Sequence, residues 1–122
     1  MAYTFICYDR CSTCKKAEKW LADNRIGFVK RPIKEENPSA EELAGWIAAS
    51  GLPVKRFFNT SGQLYRSLGV KDRLASMSEE EMIALLATDG MLVKRPLLVG
   101  DGVVLAGFKE QEWEEKLGGA HA

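Results

Sequence analysis

All three cysteines of this 122-residue chain lie within one short stretch, CYDRCSTC, which runs from Cys7 to Cys14. Counted from Cys11, the spacing is C-x-x-C, which is typical of thiol–disulfide chemistry. Counted from Cys7, it is C-x3-C-x2-C, a spacing that can hold an iron–sulfur cluster when a fourth ligand comes from elsewhere. A third interpretation is that these are ordinary buried cysteines without chemistry. The stretch therefore leaves three hypotheses open.

The C-x-x-C interpretation predicts different roles for its two cysteines. Cys11 directly precedes a predicted helix, where unpaired N–H groups and the helix dipole favour a thiolate. Cys14 is in helical register with Ala17 and Leu21, so we expect it to face inward while still reaching back to Cys11. We therefore expect Cys11 to be the nucleophile and Cys14 the resolving thiol. Lys15 adds positive charge nearby.

Metal binding has weaker support from the residue pattern. Cys7 alternates with Phe5 in a predicted strand, which favours packing in the core. The sequence contains no second C-x-x-C pair, and its one histidine, His121, is in the C-terminal tail. Zinc sites usually need four such ligands. We expect no metal and no bound cofactor.

The elements that must position the cysteines form a predicted βαβ unit. Tyr3 to Tyr8 is a β-branched and aromatic run that predicts a buried strand. Apolar residues at helical spacing predict a helix from about Ser12 to Asn24. Phe28 to Ile33 predicts a second short strand. Such a unit most often has parallel strands.

The middle of the chain, at approximately residues 38–90, is predicted to be helical. Two capping boxes, Ser39 with Glu42 and Ser78 with Glu81, each predict the start of a helix. Short apolar clusters in residues 54–75 predict short helices between them.

The C-terminal part of the chain returns to a strand pattern. Pro96 to Val99 and Val103 to Ala106 flank a glycine-rich turn and predict a hairpin. Phe108 to Leu117 predicts a charged final helix, and we expect residues 118–122 to be frayed. Residues 1–122 are thus predicted to form a single domain of the α/β class. The plan is a thioredoxin-like (βαβ…ββα) mixed sheet with a helical subdomain inserted at about 38–90.

The composition argues against several classes of function. Seventeen basic and seventeen acidic residues cancel, so no strong field is available to attract nucleic acid directly. No apolar run approaches the roughly 20 residues of a membrane span. The first residues, MAYTFICYDR, lack a basic region followed by a long apolar run. We expect a cytoplasmic protein that contacts neither nucleic acid nor membrane.

Three motifs resemble the arsenate reductase-like branch of the thioredoxin superfamily, which includes ArsC-type arsenate reductases and Spx-type transcriptional regulators. They are Cys11-Ser-Thr-Cys14-Lys-Lys-Ala17, Lys94-Arg95-Pro96-Leu97 and Gly107-Phe-Lys-Glu-Gln-Glu-Trp113. The resemblance extends over nearly the whole chain.

The resemblance implies that Pro96 is cis and faces the C-x-x-C turn. It also implies that Arg95 lies beside Cys11, where its guanidinium can stabilise a thiolate or bind an oxyanion. The candidate catalytic residues are Cys11, Cys14 and Arg95. The candidate substrate-binding residues are Ser12, Thr13, Lys15, Arg95 and Pro96.

The sequence departs from the reductases at several positions. Those enzymes have one cysteine in a Cys-Gly-Thr-Ser-like turn, whereas Cys14 occupies the fourth position here. Asn59 and the pair Gly107-Phe108 stand where the resemblance places two further arginines. Because each charged hydrogen bond contributes about 1.5–3 kcal/mol, we expect inefficient arsenate reduction.

The resulting hypothesis is a thiol–disulfide redox protein reset by glutathione or thioredoxin. The alternative is an Spx-type redox-switched regulator that binds the α subunit of RNA polymerase. A third hypothesis is a binding module that has lost its chemistry.

Overall fold

A computed structural model describes residues 3–117 of the chain. The expected frayed end at residues 118–122, with His121, lies outside the described residues. The elements, in chain order, are β1 (Tyr3–Cys7), α1 (Ser12–Asp23), β2 (Phe28–Pro32), α2 (Ala40–Ser50), α3 (Gln63–Ser67), α4 (Val70–Leu74), α5 (Glu79–Ala87), β3 (Leu97–Gly100), β4 (Val103–Ala106) and α6 (Glu110–Leu117). In addition, 3₁₀ helices cover Val54–Phe57 and Gly90–Leu92.

The chain divides into two compact units. The first comprises the chain up to Pro32 and from Arg95 onward, and it contains the sheet, α1 and α6. The second, Ile33–Lys94, contains the other helices. The helical subdomain that the sequence predicts at about 38–90 falls inside this second range.

The described strands of the first unit form one mixed sheet with the order β2-β1-β3-β4. β1 runs parallel to β2, as the βαβ pattern predicts, and antiparallel to β3. Ile6 near the end of β1 pairs with Leu97 at the start of β3. The residues that follow β1 and the residues that precede β3 therefore lie at the same end of the sheet. The predicted mixed α/β class is confirmed.

The hairpin between β3 and β4 is a two-residue turn. Gly100 pairs with Val103, and the two residues between them, Asp101 and Gly102, have φ values of 50° and 76°. Positive φ at both central positions is the pattern of a type I′ turn, for which Asp-Gly is a preferred pair. The predicted hairpin is confirmed.

The core of the first unit is formed by side chains of the sheet, α1 and α6. Trp113 is fully buried, and its indole N–H donates a hydrogen bond to the Gly107 carbonyl at 3.0 Å. Its ring meets that of Trp20 edge to face, with 6.0 Å between the ring centroids. The buried residues of this core are Tyr3, Phe5, Cys7, Cys14, Ala17, Trp20, Leu21, Leu98, Leu105, Trp113 and Leu117.

In the second unit, both predicted capping boxes are present. The N–H of Glu42 donates to the Ser39 hydroxyl, and the Ser39 N–H donates to the Glu42 carboxylate. Ser78 and Glu81 form the same reciprocal pair at the start of α5. Each box satisfies N–H groups that have no partner inside the helix. The short helices predicted in residues 54–75 are also present.

Several predicted boundaries were wrong by one or two residues. β1 ends at Cys7 and not at Tyr8, because the Tyr8 backbone turns to bond with the cysteine loop. α1 ends at Asp23, with Asn24 as its C-cap. β2 ends at Pro32, whose ring nitrogen carries no hydrogen for the ladder. α6 begins at Glu110, two residues after Phe108.

Among residues 3–117, no helix combines the length and apolar character needed to cross a membrane.

Candidate active site

The loop between β1 and α1 is closed by backbone hydrogen bonds. The Cys11 N–H donates to the Tyr8 carbonyl at 3.0 Å. Cys11 then takes an extended conformation as the N-cap of α1, and the Lys15 N–H donates to its carbonyl at 3.1 Å. The helix therefore begins directly after Cys11, as the sequence predicts. The N–H groups of Thr13 and Cys14, in the first turn of this helix, are directed at the Cys11 sulfur.

The environment of Cys11 favours its thiolate. The side chain is half-buried, and burial alone would raise its pKa. The N–H and the thiol of Cys14, the Arg95 guanidinium and the N–H of Thr13 donate toward the sulfur, and together they lower the pKa of Cys11 below its ordinary value of 9.0. Because hydrogen bonds donated to the sulfur stabilise its charged form, these donors favour the anion.

Cys14 has the opposite character. Its side chain is 2% exposed, and its sulfur accepts a hydrogen bond from the Tyr8 N–H at 3.4 Å. Burial is the main reason that the pKa of Cys14 is raised to about 12. The hydrogen bond that Cys14 makes to Cys11 and the charges of the neighbouring sulfurs raise it further, whereas the hydrogen bond from the Tyr8 N–H lowers it. The predicted inward orientation is confirmed. The pair therefore combines a Cys11 thiol of lowered pKa with a Cys14 thiol of raised pKa that donates a hydrogen bond to it.

Arg95 lies two residues before the start of β3 and beside the cysteine loop. Its guanidinium donates a hydrogen bond toward the Cys11 sulfur and contributes to the lowered pKa of Cys11. The guanidinium carbon lies 5.1 Å from the centre of the Tyr8 ring. The Arg95–Pro96 peptide bond is cis, as the resemblance implies.

The other candidate residues belong to the first turn of α1. Ser12, Thr13 and Lys15 are exposed. Thr13 contributes its backbone N–H to the Cys11 sulfur. Binding of a substrate by these side chains, and by the buried Pro96, stays a prediction.

One residue of the site was missed by the sequence analysis. Tyr8 contacts Cys11 and Cys14 through its backbone and Arg95 through its ring. The sequence pattern places Tyr8 only at the end of a predicted strand. An aromatic residue three positions before the first cysteine of C-x-x-C is a local signal that could have identified it.

Cys7 packs in the core of the first unit beside Phe5 and is 2% exposed. Burial raises its pKa to about 11, although Lys30 partly opposes this. Thiolates are the form that binds metals, so this environment disfavours ligation by Cys7. Within residues 3–117, no group of three or more cysteine, histidine or acidic side chains is arranged to hold a metal ion.

Known proteins are similar to this chain in sequence and in fold. The chain is 49% identical over 115 residues to YusI of Bacillus subtilis strain 168, which covers 94% of this chain and 98% of YusI. The structure of an ArsC family related protein from Bacteroides fragilis matches with a TM-score of 0.91 and 56% identity, covering 94% of this chain and 97% of that one. At 26% identity over 102 residues, the chain is similar to the global transcriptional regulator Spx of Bacillus subtilis strain 168, covering 84% of this chain and 76% of Spx.

A model of the ArsC family matches residues 7–116. That range includes the cysteine loop, the Arg95–Pro96 bond and most of α6. The matched range and the agreement of the folds show that this chain belongs to the ArsC family.

Proposed function

We propose that the protein is a thiol–disulfide redox protein in which Cys11 is the nucleophile and Cys14 the resolving thiol. The observation that carries this proposal is the unequal acidity of the two cysteines. Cys11 is half-buried with a lowered pKa, whereas Cys14 is buried with a pKa raised to about 12. A reactive thiolate that outside sulfur can approach, next to a protected thiol, is the arrangement that a two-step exchange requires.

The first step is attack on a substrate disulfide. The Cys11 thiolate forms a bond to one sulfur of the substrate, and the other sulfur leaves as a thiolate that takes up a proton. Cys11 then carries a mixed disulfide and has lost its negative charge. Arg95 donates to the Cys11 sulfur before attack, so it lowers the free energy of the reactive anion.

The second step is attack by Cys14. Its hydrogen bond to Cys11 and the charge on Cys11 both raise the pKa of Cys14. Once Cys11 is neutral and bonded to substrate, these two effects vanish and Cys14 loses its proton more readily. Its thiolate attacks the Cys11 sulfur, the second half of the substrate leaves as a thiol, and the Cys11–Cys14 disulfide remains. Glutathione or a thioredoxin, which we propose as the external reductant in the cytoplasm, supplies two electrons by thiol exchange and restores both thiols.

The proposal is tested by reduction of a small-molecule disulfide other than oxidised glutathione, with glutathione or thioredoxin as the electron donor. Cys11→Ser should lower the rate roughly tenfold or more because a hydroxyl cannot form the thiolate. The matched control is Cys7→Ala, which removes the third thiol and should keep the rate near wild type. A folded Cys11→Ser variant with wild-type activity would overturn the proposal.

We further propose that arsenate is a poor substrate. Asn59 and Gly107-Phe108 occupy the positions where the resemblance places arginines, so the oxyanion would lose charged hydrogen bonds. The same assay with arsenate should give a much lower rate than with a disulfide. An equal or higher rate with arsenate would show this part of the proposal to be wrong.

A second candidate function is that of a redox-switched regulator that binds the α subunit of RNA polymerase. The likeness to Spx supports it, and the net charge of zero suits a protein partner better than direct contact with nucleic acid. In this case the Cys11–Cys14 disulfide is a signal and is not turned over. Capture of purified α subunit by the oxidised or the reduced protein would support this function, and capture in neither state would count against it.

A further inference from the structure

Tyr8 contacts Cys11, Cys14 and Arg95. Its carbonyl accepts a hydrogen bond from the Cys11 N–H at 3.0 Å, and its N–H donates to the Cys14 sulfur at 3.4 Å. Its ring lies against the Arg95 guanidinium, with 5.1 Å from the guanidinium carbon to the ring centre. One residue thus joins the nucleophile, the resolving thiol and the cation.

We propose that Tyr8 is a positioning residue whose ring holds the Arg95 guanidinium against the Cys11 sulfur. This inference rests on the proposed role of Cys11 and extends it to a residue that does not itself touch the substrate.

The first reason is the geometry of a guanidinium over an aromatic ring. The negative face of the ring attracts the cation. A planar guanidinium in that position keeps its N–H donors at its edge, where they can reach a neighbouring anion. Arg95 uses its donors in this way, because one of them is directed at Cys11. The ring contact and the hydrogen bond to sulfur are therefore compatible.

The second reason is that the ring belongs to the cysteine loop itself. Arg95 has a long side chain with several rotatable bonds, and fixing such a chain costs conformational entropy. The Tyr8 backbone is hydrogen-bonded to both Cys11 and Cys14, so the residue that carries the ring is anchored in the cysteine loop. The ring therefore fixes the position of the guanidinium with respect to the cysteine loop, and not only with respect to β3.

The third reason is that the role requires the ring and not the hydroxyl. The contact runs from the guanidinium carbon to the ring centre, and the loop hydrogen bonds use the backbone. Phenylalanine would keep all these interactions, whereas leucine would keep the backbone bonds and lose the aromatic face. This difference separates positioning of Arg95 from a general contribution to the loop.

The test is the rate of alkylation of Cys11 by iodoacetamide across a pH series, measured on the reduced full-length protein by peptide mass spectrometry. Tyr8→Leu should lower the rate at neutral pH about threefold, with the profile displaced to higher pH, because Arg95 would stabilise the thiolate less. Arg95→Ala should act in the same direction. Tyr8→Phe should restore the wild-type profile.

A double variant decides whether Tyr8 acts through Arg95. In Tyr8→Leu/Arg95→Ala, the profile should match that of Arg95→Ala alone, because the ring then has no cation to hold. Fully additive effects would overturn the proposal, as would a Tyr8→Leu profile equal to wild type or a Tyr8→Phe profile equal to that of Tyr8→Leu. If Tyr8→Leu does not fold by circular dichroism, the cycle is measured with Tyr8→Met.

The outcome is separable from that of the proposed function. Alkylation reports on the Cys11 thiolate without any substrate or reductant. If Cys11→Ser keeps its disulfide activity, the proposed function fails while the alkylation profiles still decide the role of Tyr8. If the alkylation profiles contradict the role of Tyr8, the two-step exchange can still be supported by the disulfide assay.

Discussion

The Tyr8 backbone N–H donates a hydrogen bond to the Cys14 sulfur across 3.4 Å. The bond reaches from the end of β1 into the first turn of α1, and it fixes a sulfur that is almost fully buried. A thiol held in this way is protected from outside reagents. The neighbouring Cys11 sulfur, to which it donates a hydrogen bond, is within its reach.

Replacement of Cys14, the proposed resolving thiol, should trap an intermediate. In Cys14→Ser, oxidised glutathione should leave a persistent glutathione adduct on Cys11, because no second thiol attacks the mixed disulfide. The wild-type protein should instead pass to the Cys11–Cys14 disulfide. Intact mass spectrometry followed by non-reducing peptide mapping distinguishes these products. Cys11→Ser is the control and should carry no adduct; an adduct on Cys7 in any variant would contradict the assignment.

The stability of the reduced protein should vary with pH through its cysteines. Cys11 has a folded-state pKa below 9.0, so it binds fewer protons when folded. It therefore stabilises the protein above the unfolded pKa, and this contribution is lost as the pH falls through the folded value. Cys7 and Cys14 have folded-state pKa values of about 11 and about 12. Their contribution is complete below pH 9 and is lost as the pH rises toward those values.

The measurement is the free energy of unfolding in urea at a series of pH values with a phosphine reductant. The difference between wild type and Cys11→Ser should grow as the pH rises toward 9.0, the ordinary cysteine pKa. Cys7→Ala should reduce the decline in stability above that pH. A difference between wild type and Cys11→Ser that stays constant across the range would show that the Cys11 thiolate is not favoured by folding.

Trp113→Phe should destabilise the first unit by about 2–4 kcal/mol. The buried Gly107 carbonyl accepts a hydrogen bond from the Trp113 indole N–H at 3.0 Å, and the substitution removes this donor. It also opens space beside the rings of Trp20 and Phe108. Denaturant unfolding measures the loss. Trp46→Phe, at a half-buried position on α2, should cost clearly less; an equal cost at both positions would refute the prediction.

Gly90→Ala should destabilise the second unit. A Cβ at this position would overlap the backbone carbonyl oxygen of Ile33, and backbone cannot yield as a flexible side chain can. We expect a loss of about 1–3 kcal/mol in the free energy of unfolding. Gly45→Ala is the matched control, because it lies inside α2 with open space around it. That variant should gain roughly 0.5–1 kcal/mol, and a loss at Gly45 equal to that at Gly90 would contradict the explanation.

Much of the fold could be predicted because its signals are local. The capping boxes at Ser39 and Ser78 are read from four residues each, and the Asp101-Gly102 turn is read from two. The inward position of Cys14 follows from helical spacing alone. Such patterns depend only on neighbours in the chain, so composition and spacing are sufficient.

The parts of the site that are not local could not be derived in this way. The contact between Arg95 and Cys11 depends on the pairing of β1 with β3, and it was expected only from the family resemblance. The contact of Arg95 with the Tyr8 ring was not expected at all. A periodic pattern in the sequence does not indicate which distant cation will contact the face of an aromatic ring.

The pairing of Ile6 with Leu97 also has a consequence for protein synthesis. The Arg95 guanidinium reaches the Cys11 sulfur only after β3 has paired with β1. A growing polypeptide on the ribosome has Cys11 long before it has Arg95. During translation the Cys11 sulfur therefore lacks the arginine's share of its acidity.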